Sequence, residues 1–161
     1  MTTLRPDFKF LFAHPAHLIA FGLGSGLAPK APGTVGTLLG LPLFWLVSTA
    51  PNLPNRIVLL IATFLLGVWA CGRTGRALGV ADHGGMVWDE IAAYALVLLF
   101  TPPGWLWVVV AFALFRLFDI LKPWPIRIAD ARLKNGFGVM FDDLLAAGYA
   151  IASIKGLQWL V

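Results

Sequence analysis

Residues 86–100 read MVWDEIAAYALVLLF, which predicts an apolar helix with two adjacent acids at its start. The apolar part, residues 91–100, would cover about 15 Å as a helix, half the hydrocarbon thickness of a bilayer. Extending the helix back through MVWDE gives about 22 Å and brings Asp89 and Glu90 to the membrane interface or below it. One carboxylate at that depth costs on the order of 2.5–3.5 kcal/mol. Two adjacent acids there predict a bound cation that offsets their charge.

The whole chain has the composition of a membrane protein. Of its 161 residues, 59% are apolar and 12% are charged, whereas about 25% are charged in a typical soluble domain. Mean hydropathy is +0.83. The length suffices for four or five helices of about 20 residues, without a separate soluble domain. We therefore predict an all-α, polytopic membrane protein with four to five transmembrane helices, forming one domain over residues 1–161.

Apolar runs separated by turns and polar stretches predict where the crossings lie. We expect crossings at residues 34–49, 56–72, 91–100, 105–118 and 144–161. A short interfacial helix is expected over residues 7–21, followed by a Gly- and Pro-rich loop up to a helix start near Thr34. The run over residues 91–100 either crosses fully or forms a shallow re-entrant hairpin with the next run.

Charged residues are distributed unevenly between the two sides of this topology. The side with fewer basic residues carries only Arg56 and Lys155, so the positive-inside rule makes the opposite side cytoplasmic. All eight acids fall on the basic-rich side, which that rule does not require. We therefore expect an active site at the cytoplasmic face, and we attribute the net charge of +4 to topology and to anionic lipid instead of nucleic acid. The basic residues of the richer side are Arg5, Lys9, Lys30, Arg73, Arg76, Arg116, Lys122, Arg127, Arg132 and Lys134.

A glycine-rich segment on the same side has the composition of a phosphate-binding loop. Residues 22–37 read GLGSGLAPKAPGTVGT. Glycines let backbone N–H groups converge on an anion, Lys30 adds a point charge, and a helix start near Thr34 adds a favourable dipole. The spacing does not match a nucleotide-binding P-loop. A flexible entry to a membrane helix would explain the same glycines.

Acidic pairs precede two of the predicted crossings. Asp89 and Glu90 lie before one, and Asp142 and Asp143 lie before the last. Hard cations such as Mg²⁺ prefer carboxylate and phosphate oxygens as ligands. The helix dipole would also favour acids at both places, and one aspartate of the second pair is expected as an N-cap. A second aspartate beside it repels the first unless a cation or proton is shared.

A third polar group lies at the end of the fourth apolar run. Arg116 and Asp119 are three residues apart and share a helix face, which predicts either an ion pair or a functional pair. Lys122 follows, and Pro123 ends the helix. Together these segments bring carboxylates and phosphate-type donors to one membrane face, as metal-assisted phosphoryl hydrolysis requires.

Four segments of the chain resemble the phosphatidylglycerophosphatase A family. They are GLGSGLAPKAPGTVGTLLGLPL (22–43), DHGGMVWDE (82–90), FRLFDILKPWPI (115–126) and GFGVMFDDLLAAGYA (136–150). The resemblance covers over a third of the chain, and it departs from the family pattern at IAAY (91–94), where members often have a glycine. It implies an all-helical fold and Mg²⁺-dependent removal of phosphate from phosphatidylglycerophosphate, giving phosphatidylglycerol, at the bacterial inner membrane.

On this basis we assign roles to the site residues as hypotheses. A water molecule would attack the phosphate, oriented by a carboxylate such as Asp130. The expected catalytic residues are Asp130, Asp142 and Lys30. The expected substrate-binding residues are Gly24, Ser25, Gly26, Lys30, Thr34 and Lys122. The expected Mg²⁺ ligands are Asp89, Glu90, Asp119, Asp142 and Asp143.

Two other functions remain open. A CDP-alcohol phosphatidyltransferase also uses aspartates and Mg²⁺ at a membrane face, and the segments at residues 130–132 and 138–142 partly match its motif. That motif lacks its first glycine here, and its last aspartate follows directly instead of four residues later. A small cation transporter would use the intramembrane acids but would leave the basic loops and the glycine-rich segment unexplained. The oligomeric state does not follow from the sequence.

Overall fold

The computed structural model describes residues 6–160, so Arg5 lies outside the described residues. The described residues form helices and no strand, which confirms the all-α prediction. The elements are α1 (Phe8–Ala13), α2 (Pro15–Ala20), a 3₁₀ segment (Gly22–Leu27), α3 (Pro32–Ser48), α4 (Leu53–Leu78), α5 (Trp88–Leu99), α6 (Trp105–Leu121), α7 (Ile126–Arg132) and α8 (Gly136–Gln158).

Two of the described helices, α4 and α8, are long and apolar enough to cross a membrane. This is fewer than the four to five crossings predicted. Helix α5 has 12 residues and reaches about 18 Å, well short of a hydrocarbon core of about 30 Å. Helix α3 is apolar but has 17 residues, which reach about 25 Å. The two long helices indicate membrane association.

The predicted interfacial helix over residues 7–21 consists of two short helices. Asp7 caps α1, accepting from the Phe10 N–H at 2.8 Å, and the His14 ring caps α2, accepting from the Ala16 N–H at 3.1 Å. The break occurs at His14 because Pro15 has no N–H to continue α1 but fits the first position of a new helix.

Helix α8 begins at Gly136, eight residues before the start predicted at residue 144. The Asn135 side chain caps it by accepting from the Gly138 N–H at 2.9 Å. A Cβ at residue 136 would collide with the backbone of α4 at Val68 and Gly72, so the glycine is needed for close helix packing. Because glycines usually weaken helices, the sequence suggested a loop here. The expectation that an aspartate of the 142–143 pair caps the last helix is therefore wrong.

Helix α5 lies at the centre of the bundle and packs against α3, α4, α6 and α8. Its Tyr94 is fully buried and donates a hydrogen bond to the Val108 carbonyl oxygen of α6 at 2.9 Å. The ring packs against Phe112 and Phe115. This central position surrounds the first turn of α5 with neighbouring helices, so its two acids face other helices instead of water.

Candidate functional site

Three carboxylates from two helices converge at the start of α5. Asp89 and Glu90 lie in its first turn, and Asp143 comes from the adjacent helix α8. One ligand oxygen of each lies within 4.8 Å of the other two. Asp89 is 8% exposed and Asp143 is 3% exposed. We call these three side chains the carboxylate cluster.

Each member of the carboxylate cluster has an oxygen with no hydrogen-bond partner in the described part of the chain. These buried atoms are Asp89 Oδ1, Glu90 Oε2 and Asp143 Oδ2. Burying a carboxylate oxygen without a partner costs several kcal/mol, and removing one partner of a buried pair is similarly unfavourable. Carboxylate oxygens are the donors that a hard divalent cation prefers. The cluster therefore fits a cation such as Mg²⁺.

Arg116 of α6 borders the carboxylate cluster. Its guanidinium pairs with Asp119 three residues on, and it lies 3.5 Å from Glu90 Oε1 and 3.5 Å from Thr37 Oγ1. The Asp119 carboxylate in turn lies against that of Asp143. The sequence-based site list omitted Arg116. Its spacing from Asp119 within an apolar helix was the signal that could have included it.

Lys122 holds the other aspartate of the α8 pair. Its Nζ lies 2.6 Å from Asp142 Oδ2 and 3.1 Å from Asp130 Oδ1. Lys134 lies 3.7 Å from the same oxygen of Asp130. Burial alone lowers the pKa of Lys122, but its contacts with the two carboxylates outweigh that effect and hold the pKa above its usual value. We call Lys122, Asp130 and Asp142 the lysine clamp.

The two adjacent aspartates of α8 therefore have different surroundings. Successive residues of an α-helix point about 100° apart, because a turn holds about 3.6 residues. Asp143 points toward α5 and joins the carboxylate cluster, whereas Asp142 joins the lysine clamp. Of the five predicted metal ligands, the structure brings Asp89, Glu90 and Asp143 together, with Asp119 beside them. The Asp142 carboxylate instead accepts a hydrogen bond from the Lys122 ammonium.

The glycine-rich segment uses its own polar groups internally. The N–H groups of Gly24 and Gly26 both donate to the Phe21 carbonyl oxygen at 3.0 Å. The Ser25 hydroxyl donates to the Gly22 carbonyl oxygen at 2.9 Å. These donors thus bond to the segment itself or to Phe21 directly before it. Their predicted contact with a phosphate remains a prediction.

The first turn of α3 lies directly against the site. Gly33 is buried, and a Cβ there would collide with Glu90 Oε1 and lie 3.2 Å from both terminal nitrogens of Arg116. Thr34, predicted to bind substrate, is the next residue of this turn. Lys30 is exposed before the helix and makes no ion pair or hydrogen bond with another described residue. The positive end of the α3 dipole is therefore close to the carboxylate cluster.

A family model described as Phosphatidylglycerophosphatase A matches residues 18–158. The chain belongs to the phosphatidylglycerophosphatase A family. Phosphatidylglycerophosphatase A of Haemophilus influenzae is 44% identical over 99% of this chain and 98% of its own length. The Escherichia coli protein of the same name is 40% identical over 86% of this chain and 80% of its own length. The chain is therefore a phosphoric monoester hydrolase, which confirms the predicted enzyme class.

A third relative bears a different name. A Bacteroides thetaiotaomicron protein, provisionally named as a phosphatidylinositol-3-phosphatase, is 37% identical over 89% of this chain and 94% of its own length. No solved structure matches the chain.

The charge balance of this phosphatidylglycerophosphatase A family site constrains its chemistry. The carboxylate cluster and Asp119 contribute four carboxylates, and the Arg116 guanidinium contacts two of them, those of Glu90 and Asp119. A phosphate monoester itself carries a charge of about −1.5 to −2 at neutral pH. Such a group would be repelled from ionised carboxylates unless a cation offset their charge. The charge balance of the site therefore fits a bound cation beside the acid side chains.

Proposed function

We propose that the chain hydrolyses phosphatidylglycerophosphate to phosphatidylglycerol and phosphate, as a Mg²⁺-dependent step of phospholipid biosynthesis. The observation that carries the proposal is the carboxylate cluster, in which three buried oxygens converge without partners in the described residues. The names of the relatives from Haemophilus influenzae and Escherichia coli support the choice of substrate.

Asp89, Glu90 and Asp143 would hold the Mg²⁺ in this proposal, with Asp119 at the edge of the site. When bound, the ion would offset the negative charge of the phosphate oxygens and so lower the barrier to attack of water on phosphorus. Asp142 pairs with Lys122 and in this proposal would position α8, while the metal-ligand and catalytic roles expected for it stay predictions. Asp130 would likewise act as a positioning residue in this proposal, because Lys122 and Lys134 hold it, and its expected catalytic role stays a prediction.

Arg116 would stabilise the negative charge that develops on the transferring phosphate. Its Nε is buried with no hydrogen-bond partner in the described residues, so it is free to donate to a phosphate oxygen. Asp119 and Glu90 both contact its Nη1 and so hold the guanidinium in place. A fixed donor costs no reorganisation when the charge forms, so it stabilises the transition state more than a mobile one. Hydrolysis transfers the phosphoryl group to water, and the lipid leaves as an alcohol.

The test is phosphate release by the purified full-length chain in detergent. We expect release from phosphatidylglycerophosphate with Mg²⁺, loss of release in excess chelator, and recovery when Mg²⁺ is restored. Full activity in chelator would contradict the metal requirement. Failure to release phosphate from this lipid in any metal condition would contradict the substrate.

Phosphatidylinositol 3-phosphate is a second candidate substrate, because the Bacteroides thetaiotaomicron relative carries that name. It too is a phosphate monoester on a lipid headgroup, so the same carboxylate cluster would serve it. The assay above discriminates the two if both lipids are compared at the same surface concentration. We expect the higher kcat/KM for phosphatidylglycerophosphate, because the two relatives that bear that name are the more similar ones.

We further propose four to five membrane crossings with the site at the cytoplasmic face of a bacterial inner membrane. Basic residues gather near the end of α4 and around α7, whereas Arg56 and Lys155 mark the opposite ends of the long helices. That asymmetry is typical of cytoplasmic loops. The relatives compared above come from bacteria.

A further inference from the structure

An apolar cavity of about 190 Å³ leads away from the carboxylate cluster, between α4, α5 and α8. Asp89 is its one charged lining residue, and every other lining side chain is apolar. Asp89 marks one end, and Ile57 of α4 and Leu96 of α5 mark the other. We call this cavity the lateral groove. It shares Asp89 with the carboxylate cluster, so the two adjoin at this residue.

The lateral groove is partly open to the outside of the bundle. Leu96 follows Asp89 by seven positions, which corresponds to about 10 Å along α5. Ala92 and Ala93 form its floor and are 7% and 6% exposed, whereas Ile61 on the rim is 53% exposed. The rim belongs to α4, one of the two helices long enough to cross a membrane. In a bilayer the opening therefore faces hydrocarbon instead of water.

We propose that the lateral groove holds one acyl chain of the lipid substrate while the headgroup bends back to bring its phosphate monoester to the carboxylate cluster. This inference rests on the proposed lipid phosphatase function. In such a substrate the phosphate and the chains belong to one molecule. A phosphate held at the cluster therefore leaves a chain to run along the adjacent protein surface. The groove is an apolar path that begins at a cluster residue, Asp89.

The groove contributes orientation instead of affinity. An acyl chain that moves from the bilayer into the groove exchanges one apolar surrounding for another, so it gains little hydrophobic free energy. Fixing the chain, however, fixes the position of the phosphate, and a misplacement of about 1 Å costs up to about a hundredfold in rate. Blocking the groove should therefore impair long-chain substrates and spare those whose chains are too short to reach it.

The experiment compares kcat/KM for dipalmitoyl and dihexanoyl phosphatidylglycerophosphate, using the full-length chain with Mg²⁺ in mixed micelles. Ile61→Trp blocks the rim, and Ala93→Leu fills the floor. Val58→Trp is the matched control, because Val58 is also exposed on α4 but does not line the groove. We expect both groove variants to lower the ratio of long-chain to short-chain kcat/KM by about tenfold or more. The control should leave the ratio at the wild-type value.

An unchanged ratio in Ile61→Trp would overturn the inference, and the exposed position of Ile61 makes that variant informative even where Ala93→Leu fails to fold. An unchanged ratio together with an altered subunit number in light scattering would identify the groove as a contact with a second copy and would also overturn it. If wild type hydrolyses neither lipid, the proposed function fails and the inference fails with it. Normal wild-type turnover with an unchanged ratio refutes the acyl-chain site alone.

Discussion

Asp143 is the member of the α8 pair that joins the carboxylate cluster, so its replacement tests the cluster directly. We expect Asp143→Asn to lower kcat/KM by at least about a hundredfold, because losing a residue that merely supports a metal ligand already costs about 10–100-fold. It should also reduce the rise in melting temperature that Mg²⁺ produces, since a ligand stabilises the state that binds it. Phosphate release and a thermal-shift titration with Mg²⁺ measure the two effects.

The control for this variant is Asp7→Asn, which alters an exposed N-cap on α1 away from the cluster. It should leave activity and the Mg²⁺-dependent thermal shift unchanged. A Mg²⁺-dependent shift of wild-type size in Asp143→Asn would contradict the role of this carboxylate in cation binding.

Arg116 lies between Glu90 and Asp119, so its removal leaves two largely buried acids without a cation partner. We expect Arg116→Ala to cost about 3–5 kcal/mol of stability. Arg116→Lys should keep much of that stability and still lower kcat at least about tenfold, because an ammonium cannot replace the planar fork. Urea unfolding in detergent and steady-state kinetics separate the two effects. The same substitutions at the exposed Arg127 are the control. An Arg116→Lys enzyme with wild-type kcat would contradict a role of Arg116 in catalysis.

At the residue scale, the sequence predicted the acids but not their division into two groups. Asp89 and Glu90 stood out because acids are costly within an apolar helix. Asp142 and Asp143 look equivalent in a linear sequence. Their separation depends on the rotational phase of α8, which follows from helix packing at Gly136 and further along the chain. Neither Asp142 nor Lys30 belongs to the carboxylate cluster. The metal-ligand role predicted for Asp142 and the catalytic role predicted for Lys30 therefore remain predictions.

At the scale of elements, the close approach of α3 to the site depends on Gly33. We expect Gly33→Ala to lower activity about tenfold or more, because its Cβ would displace Glu90 and Arg116 from their present positions. Gly148→Ala is the matched control in α8, where a Cβ meets no atom within 4 Å. That control should retain activity, with stability unchanged or raised by up to about 1 kcal/mol. Equal kinetics for the two variants would show that α3 does not position the site.

The lysine clamp joins the end of α6 to α7 and α8, so the clamp should contribute to stability. Lys122→Ala leaves Asp142, which is 4% exposed, without its cation partner. We expect a loss of about 3–5 kcal/mol, measured as a lower urea midpoint in detergent. Lys134→Ala removes an exposed partner of Asp130 and should change stability by less than about 1 kcal/mol. A Lys122→Ala midpoint equal to that of Lys134→Ala would contradict the clamp.

Helix positions were predictable where apolar runs have clear ends, and less so where glycines serve packing. The start of α6 at Trp105 follows from the turn TPPG before it. The start of α5 at Trp88 agrees with the extension through MVWDE. The start of α8 was missed because Gly136 and Gly138 indicate a loop in a linear reading, whereas in the folded chain they allow contact with α4 and with Leu133.

At the scale of the whole molecule, the two ends of α4 should lie on opposite sides of the membrane. We expect a cysteine at exposed Asn55 to react with a membrane-impermeant maleimide in intact spheroplasts. A cysteine at exposed Ala77 should react only after the membrane has been permeabilised. Both are introduced into Cys71→Ala, which removes the buried native thiol. This pattern follows because Arg73 and Arg76 mark the Ala77 end as cytoplasmic. Equal labelling of the two positions in intact spheroplasts would show that α4 does not cross.

The overall architecture was predictable to the level of an all-helical bundle, because composition alone excludes a soluble fold of ordinary charge content. The number of crossings was not predictable, because α5 is 12 residues long and packs among five other described helices, namely α2, α3, α4, α6 and α8. A short helix at the centre of a bundle is shielded by its neighbours, so its length need not match the bilayer.

The sideways opening of the lateral groove, with Ile57 and Ile61 on its rim, changes which concentration governs the reaction. A lipid that enters from the bilayer meets the enzyme by diffusion in two dimensions and need not pass through water. The rate should then follow the mole fraction of substrate in the membrane and not its amount per volume of suspension. Diluting the substrate with an inert lipid should slow the enzyme, whereas adding buffer to the same vesicles should leave the turnover of each enzyme unchanged.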